Sequence, residues 1–116
     1  NPLGFAFEHY GAVGEYRTTD GGQPVDSSAT YPFEGGAQSY QNALELASIL
    51  AASKQVHACH SKHWIEYLLG RSSHPDDRAL IEQLSLESQT GASVRETVRA
   101  LLTSDAIRYR LAPEGT

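Results

Sequence analysis

Four residues whose side chains bind metals, His57, Cys59, His60 and His63, fall within seven positions of one another. On a helix, Cys59 and His63 are i, i+4 and His60 and His63 are i, i+3, so they share a face at about the spacing a metal ion needs. A metal site usually takes three or four ligands, and no second cluster of cysteine or acidic residues has matching spacing. The simpler reading is a core cysteine flanked by surface histidines, with Cys59 acting as a small buried hydrophobe. Ala58-Cys59-His60 also matches the end of a c-type haem attachment motif, Cys-x-x-Cys-His, but Val56 stands where the first cysteine belongs. No covalent cofactor is therefore expected within this chain.

Other polar groups are less pointed. Ser72, Ser73 and His74 are adjacent, which does not make a nucleophilic dyad; a turn leading into a helix explains them. Glu8, His9, Asp20 and Asp26 could line a polar site, although Asp26-Ser27-Ser28 reads as a turn that satisfies its own backbone. His9 is the only histidine before residue 38.

The elements that must carry these residues divide near residue 38. Seven of the ten glycines lie in residues 1–37. Asp20-Gly21-Gly22-Gln23-Pro24 predicts a turn between short strands at about 15–19 and 24–26. The aromatic stretch around Phe5–Tyr10 has room for only a short helix between Gly4 and Gly11. From about residue 39 the pattern is helical. Tyr40–Ala52 spaces Ala43, Leu44, Ala47, Leu50 and Ala51 for one face, with Ser39 as N-cap. Lys54–Leu69 carries Val56, Cys59, His63 and Tyr67 on its expected inner stripe, with Trp64 and Leu68 beside it and Gly70 as C-cap. Arg71 after that cap suits a helix C-terminus, a propionate or, most simply, a structural salt bridge. Pro75-Asp76-Asp77 opens a third helix with Ala79, Leu80, Ile81 and Leu84. Ser93 and Glu96 form a capping box for a fourth, burying Val94, Val98, Leu101 and Leu102. A last turn at Asp105–Tyr109 ends before Pro113.

The expected fold is thus mainly α: a four-helix body (about 39–110) with an irregular Gly/Pro/aromatic N-terminal arm containing a short β-hairpin. One domain is expected over 1–116, with 1–37 the arm and 38–116 the body. A net charge of −5 gives no basic stripe for nucleic acid and no attraction to an anionic membrane. No apolar run nears the ~20 residues of a membrane span. The opening residues read as the middle of a protein and the chain has no methionine, so a fragment of a larger protein is expected.

Asn1-Pro2-Leu3-Gly4-Phe5-Ala6-Phe7-Glu8 and Gly14-Glu15-Tyr16-Arg17-Thr18-Thr19-Asp20-Gly21-Gly22-Gln23-Pro24-Val25-Asp26 resemble the C-terminal domains of unknown function of large planctomycete-type, cytochrome-c-like exported bacterial proteins. Cys59 with Trp64-Ile65-Glu66-Tyr67-Leu68-Leu69-Gly70-Arg71 is similar to the family's second block, and Leu101–Arg110 to its closing segment. The likeness spans nearly the whole chain. In that family the Pro-Leu-Gly-Phe segment follows a Cys-x-x-Cys-His motif by a few residues. The resemblance implies a parent protein with covalent c-type haem, exported to the periplasm or cell envelope, and an upstream domain as partner. It implies a haem-proximal place for Pro2, Leu3, Phe5 and Phe7, with His9 a candidate ligand. His57, His60 and His63 depart from the family pattern and keep a metal role open.

Three functions follow as expectations. The first is a non-catalytic domain beside an upstream haem module, supporting electron transfer or packing. The second is a structural or interaction module that binds a partner or polymer without cofactor. The third is a metal-binding domain built on His57, Cys59, His60 and His63.

Overall fold

The computed structural model describes residues 2–109. Arg110 and Pro113, used above to close the helical pattern, lie outside the described residues. The fold is mainly α, as expected, and falls into two compact units that divide after Ser53.

The first unit begins with a single helical turn, α1 (Pro2–Phe5), earlier than the Phe5–Tyr10 helix expected. Consecutive tight turns carry the chain on from there, with the amides of Phe7, Glu8 and Tyr10 donating to the carbonyls of Gly4, Phe5 and Phe7. A small hairpin joins β1 (Thr19–Asp20) to β2 (Gln23–Pro24). Its two turn residues, Gly21 and Gly22, have φ of +55° and +82°. Positive φ at both is what a two-residue hairpin turn of matching twist requires.

A second hairpin was not foreseen. β3 (Ala29–Phe33) pairs antiparallel with β4 (Gly36–Tyr40), Phe33 opposite Gly36 and Ala29 opposite Tyr40. Along β3 the residues alternate between half-buried Ala29, Tyr31 and Phe33 and exposed Thr30 and Pro32. That period of two, closed by Gly35-Gly36, is a strand signal. Ser39 consequently pairs its hydroxyl with that of Thr30 at 2.8 Å rather than capping a helix. The helix, α2 (Ala43–Ala52), starts later. Its N-cap is Asn42, whose Oδ1 accepts from the amides of Leu44 and Glu45, both at 3.0 Å. Ser27, buried, donates to the carbonyl of Gln41 at 2.6 Å and ties the hairpin's entry to that start.

Ala6, Tyr40 and Leu46 form the core of this unit, with Leu3, Ala29, Tyr31, Phe33, Ile49 and Leu50 packed around them. The inner face of α2 is therefore Leu46, Ile49 and Leu50. Leu44, expected inside, is 81% exposed. α2 packs with the arm in the first unit, and the second unit holds the three helices that follow it and a short closing turn.

The second unit runs from α3 (Lys54–Leu69) through a 3-10 turn at Pro75–Asp77 into α4 (Arg78–Gln89), then α5 (Val94–Thr103) and α6 (Asp105–Arg108). Gly70 ends α3 at φ +62°, the left-handed C-cap that favours glycine. Ile65, Leu84 and Leu101 meet at the centre, each fully buried, with Trp64, Leu68, Leu69, Leu80, Ile81 and Ala100 around them.

This core sets α3 a step out of the expected phase. Ser61 and Ile65 are buried, whereas Cys59 is exposed and Tyr67 is 77% exposed. On α5 the inward residues are Thr97 and Leu101; Val94 and Leu102 are half-exposed.

The capping box opening α5 is formed as predicted. The Glu96 amide donates to Ser93 Oγ at 3.3 Å, and the Ser93 amide donates to Glu96 Oε2 at 2.7 Å. The Ser93 amide foremost, and then its hydroxyl, which donates to Glu96 Oε2 at 2.8 Å, hold the Glu96 carboxyl below its ordinary range. Ser93→Ala is expected to lower the unfolding free energy by about 1 kcal/mol. Urea denaturation would read this, and a change under a few tenths would show that the box contributes nothing. Among the described residues no helix is long and apolar enough to cross a membrane.

Candidate functional site

The N-terminal arm is rooted in the first unit's core by Leu3 and Ala6 and leaves its rings outside. Of the residues expected to lie beside a haem, Leu3 packs into that core, Pro2 is half-buried, and Phe5 and Phe7 are 45% and 54% exposed. Tyr10 and Tyr16, joined by a β-bridge, are 49% and 66% exposed and meet edge to face. The half-buried His9 stacks on Tyr16, with ring centroids 5.3 Å apart and planes 13° apart. Its Nδ1 lies 2.8 Å from the Arg17 carbonyl oxygen, and the Arg17 amide donates back to the His9 carbonyl at 2.7 Å.

Arg17 organises the polar side of the same segment. Nε donates to the Glu8 carbonyl at 3.0 Å, and the guanidinium pairs with Glu8 at 3.4 Å and Asp20 at 3.0 Å. An open cleft of about 400 Å³ adjoins it, with Phe5, Pro24 and Val25 on the apolar side and Glu8, Asp20 and Asp26 on the acidic side. Asp26 accepts from the Ser28 amide at 2.9 Å, the local turn that its sequence suggested. Hydrogen bonds from Ser28, through its hydroxyl and its amide, keep the Asp26 carboxyl below its usual range.

The histidine helix disperses its ligands. His57 Nδ1 is 2.8 Å from Ser88 Oγ on α4. His60 Nε2 accepts from the Trp64 indole at 3.0 Å. His63 Nδ1 lies 3.4 Å from Glu66, which also accepts from the Ser73 amide at 3.0 Å. That Ser73 amide is the main reason the Glu66 carboxyl sits low. Cys59 is exposed instead of buried in the core. Among the described residues no three His, Cys, Asp or Glu side chains are grouped to hold a metal ion. Ser72, Ser73 and His74 form an irregular link with His74 extended: His74 caps the Pro75–Asp77 segment, and its ring accepts from the Asp76 amide at 3.4 Å.

Arg71 makes the structural salt bridge expected of it. Its guanidinium forks onto Asp77 at 2.7 and 2.9 Å, and the His74 amide donates to the same carboxylate at 2.7 Å. The sequence reading missed that partner, along with the Arg17 fork and the His57–Ser88 contact. The first was legible as two opposite charges six residues apart, just after the glycine cap. The His57–Ser88 contact joins positions far apart in sequence and left no local signal.

Residues 36–107, more than half of the chain, match a family described as a protein of unknown function (DUF1585). No curated protein matches the chain, and no solved structure matches it.

Proposed function

We propose that this chain, which belongs to the protein family of unknown function DUF1585, is a non-catalytic domain whose N-terminal unit covers the edge of a c-type haem. The haem would be carried by a preceding module of the same protein, which supports electron transfer. The observation that carries this reading is the arm's division of labour. Leu3 and Ala6 anchor it while Phe5, Phe7, Tyr10 and Tyr16 remain about half exposed or more. Exposed rings spaced along a well-anchored segment are what a surface covered by another body would present. The likeness of Asn1–Glu8 to a segment that follows a haem attachment motif supports haem as that body.

The donor set is compatible with haem. Phe5 and Phe7 offer apolar cover, and His9 offers an imidazole. The cleft beside Phe5 is no place for haem propionates, because Glu8, Asp20 and Asp26 line it. Bound haem supplies a one-electron couple, and its potential depends on the dryness and ligation that surrounding residues provide. Phe5 and Phe7 would exclude water, and Arg17 would hold the Glu8 and Asp20 charges in place. Because c-type haem is attached outside the cytoplasm, the parent protein would be exported.

The test is an absorption spectrum of the parent protein purified from its native host, oxidised and reduced. A Soret band with sharp reduced α and β bands is expected. A featureless spectrum would overturn the haem reading and leave the rings as a cofactor-free docking surface.

A further inference from the structure

We infer that His9 Nε2 is an axial ligand to the iron of that haem, with the backbone carbonyl of Arg17 as its positioning group; this rests on the haem reading above. The ground is a tautomer that the fold has already chosen. A carbonyl oxygen can only accept, so the 2.8 Å contact between His9 Nδ1 and Arg17 O places the ring hydrogen on Nδ1. In the neutral ring the lone pair is then on Nε2, which has no hydrogen-bond partner among the described residues. Iron and other first-row metals take this form of histidine, and its Nδ1–H commonly donates to a backbone carbonyl that fixes ring orientation.

Two further contacts hold the ring. Its face lies on Tyr16 at 5.3 Å, and its own carbonyl accepts from the Arg17 amide at 2.7 Å. The ring therefore loses little freedom on binding a metal. The remaining histidines are arranged differently. His60 has a fixed tautomer as well, but the Trp64 indole occupies its Nε2. His57 faces a serine hydroxyl, which can donate or accept. His63 and His74 are more than half exposed beside carboxylates of Glu66 and Asp76. Only His9 combines a carbonyl-locked Nδ1–H, a stacked face and an open Nε2.

The test uses the haem-loaded parent protein as wild type, His9→Asn and His9→Ala. Each is measured by absorption, by electron paramagnetic resonance and by reduction potential, with and without added imidazole. Asparagine keeps an N–H near the Nδ1 position to donate to Arg17 O but has no atom in place of Nε2. A purely structural histidine would therefore tolerate it. The expected result is a low-spin ferric signal in wild type that is lost in both variants, replaced by a high-spin signal, and restored by imidazole. An altered reduction potential should accompany the loss. If His9→Asn keeps the wild-type low-spin signal and potential, the ligand assignment falls and the haem reading stands. If the wild-type parent shows no Soret band, the haem reading falls and takes the assignment with it. Imidazole rescue of His9→Ala distinguishes a missing ligand from a collapsed arm, since a collapsed arm would not recover.

Discussion

Leu84→Ala should destabilise the second unit by about 3 to 4 kcal/mol, the largest effect expected of any single substitution in the chain. Leu84 is fully buried at the meeting point of three helices, against Ile65 of α3 and Leu101 of α5, which are equally buried. Truncation removes apolar contact and leaves a void, and the surrounding rings of Trp64 and neighbouring leucines can close it only in part. The core is small, so no second layer shares the loss. Trp64 is the only tryptophan in the chain and packs against this cluster, so its fluorescence reports the unfolding of this unit in urea. The midpoint should fall with little change in slope. Leu86→Ala provides the comparison: Leu86 is 62% exposed, and its loss should stay within about 0.5 kcal/mol. Equal midpoints for the two variants would show that the three-helix centre is not where this unit's stability resides.

The second large effect is expected at the Arg71–Asp77 fork. Asp77 is 5% exposed and accepts from both guanidinium nitrogens and from the His74 amide. Removing Arg71 leaves a buried carboxylate without its counter-charge. For a fully buried pair that costs about 3–5 kcal/mol; because the Arg71 side chain is 38% exposed, about 2 kcal/mol is expected for Arg71→Ala. The fork also closes the turn between α3 and α4, so the loss should appear in the same Trp64 signal.

The pH dependence of this pair has a definite sign. The Arg71 guanidinium, with the His74 amide assisting, holds the Asp77 carboxyl below its ordinary value. A carboxyl with a lowered folded-state value contributes stability that is fully present above its unfolded value, near about 4. That stability is lost as pH falls through the folded value. Wild type should therefore lose stability on acidification below about pH 4, and Arg71→Ala should lose less over the same range. Parallel acid profiles for the two proteins would overturn the assignment of acid sensitivity to this pair.

The candidate site was partly legible from residue types alone. His9 stood out as the only histidine of the arm, and Phe5 and Phe7 as its rings. Its eight-residue partnership with Arg17 was not legible, because it depends on the chain folding back through the Tyr10–Tyr16 bridge. The histidine helix shows the converse. Its spacing put Cys59 and His63 on one face correctly, but that face is exposed, and the ring contacts of His57 and His60 draw them to Ser88 and Trp64.

What the sequence determined by itself is the set of local endings: the Gly21-Gly22 turn, the Gly70 cap, the Ser93–Glu96 box and the span Lys54–Leu69. Each rests on hydrogen bonds or dihedral preferences within a few residues, so the neighbouring sequence contains the whole cause. Only the tertiary structure decided which face of each helix is inside. α3 has apolar residues on more than one face and a serine on the buried one, so its periodicity supports two phases. Contact with Leu84 and Leu101, far away in sequence, selects between them. The assignment of α2 to the arm has the same origin. Leu46 finds its partners in Ala6 and Tyr40, and no pattern confined to residues 43–52 could have named them.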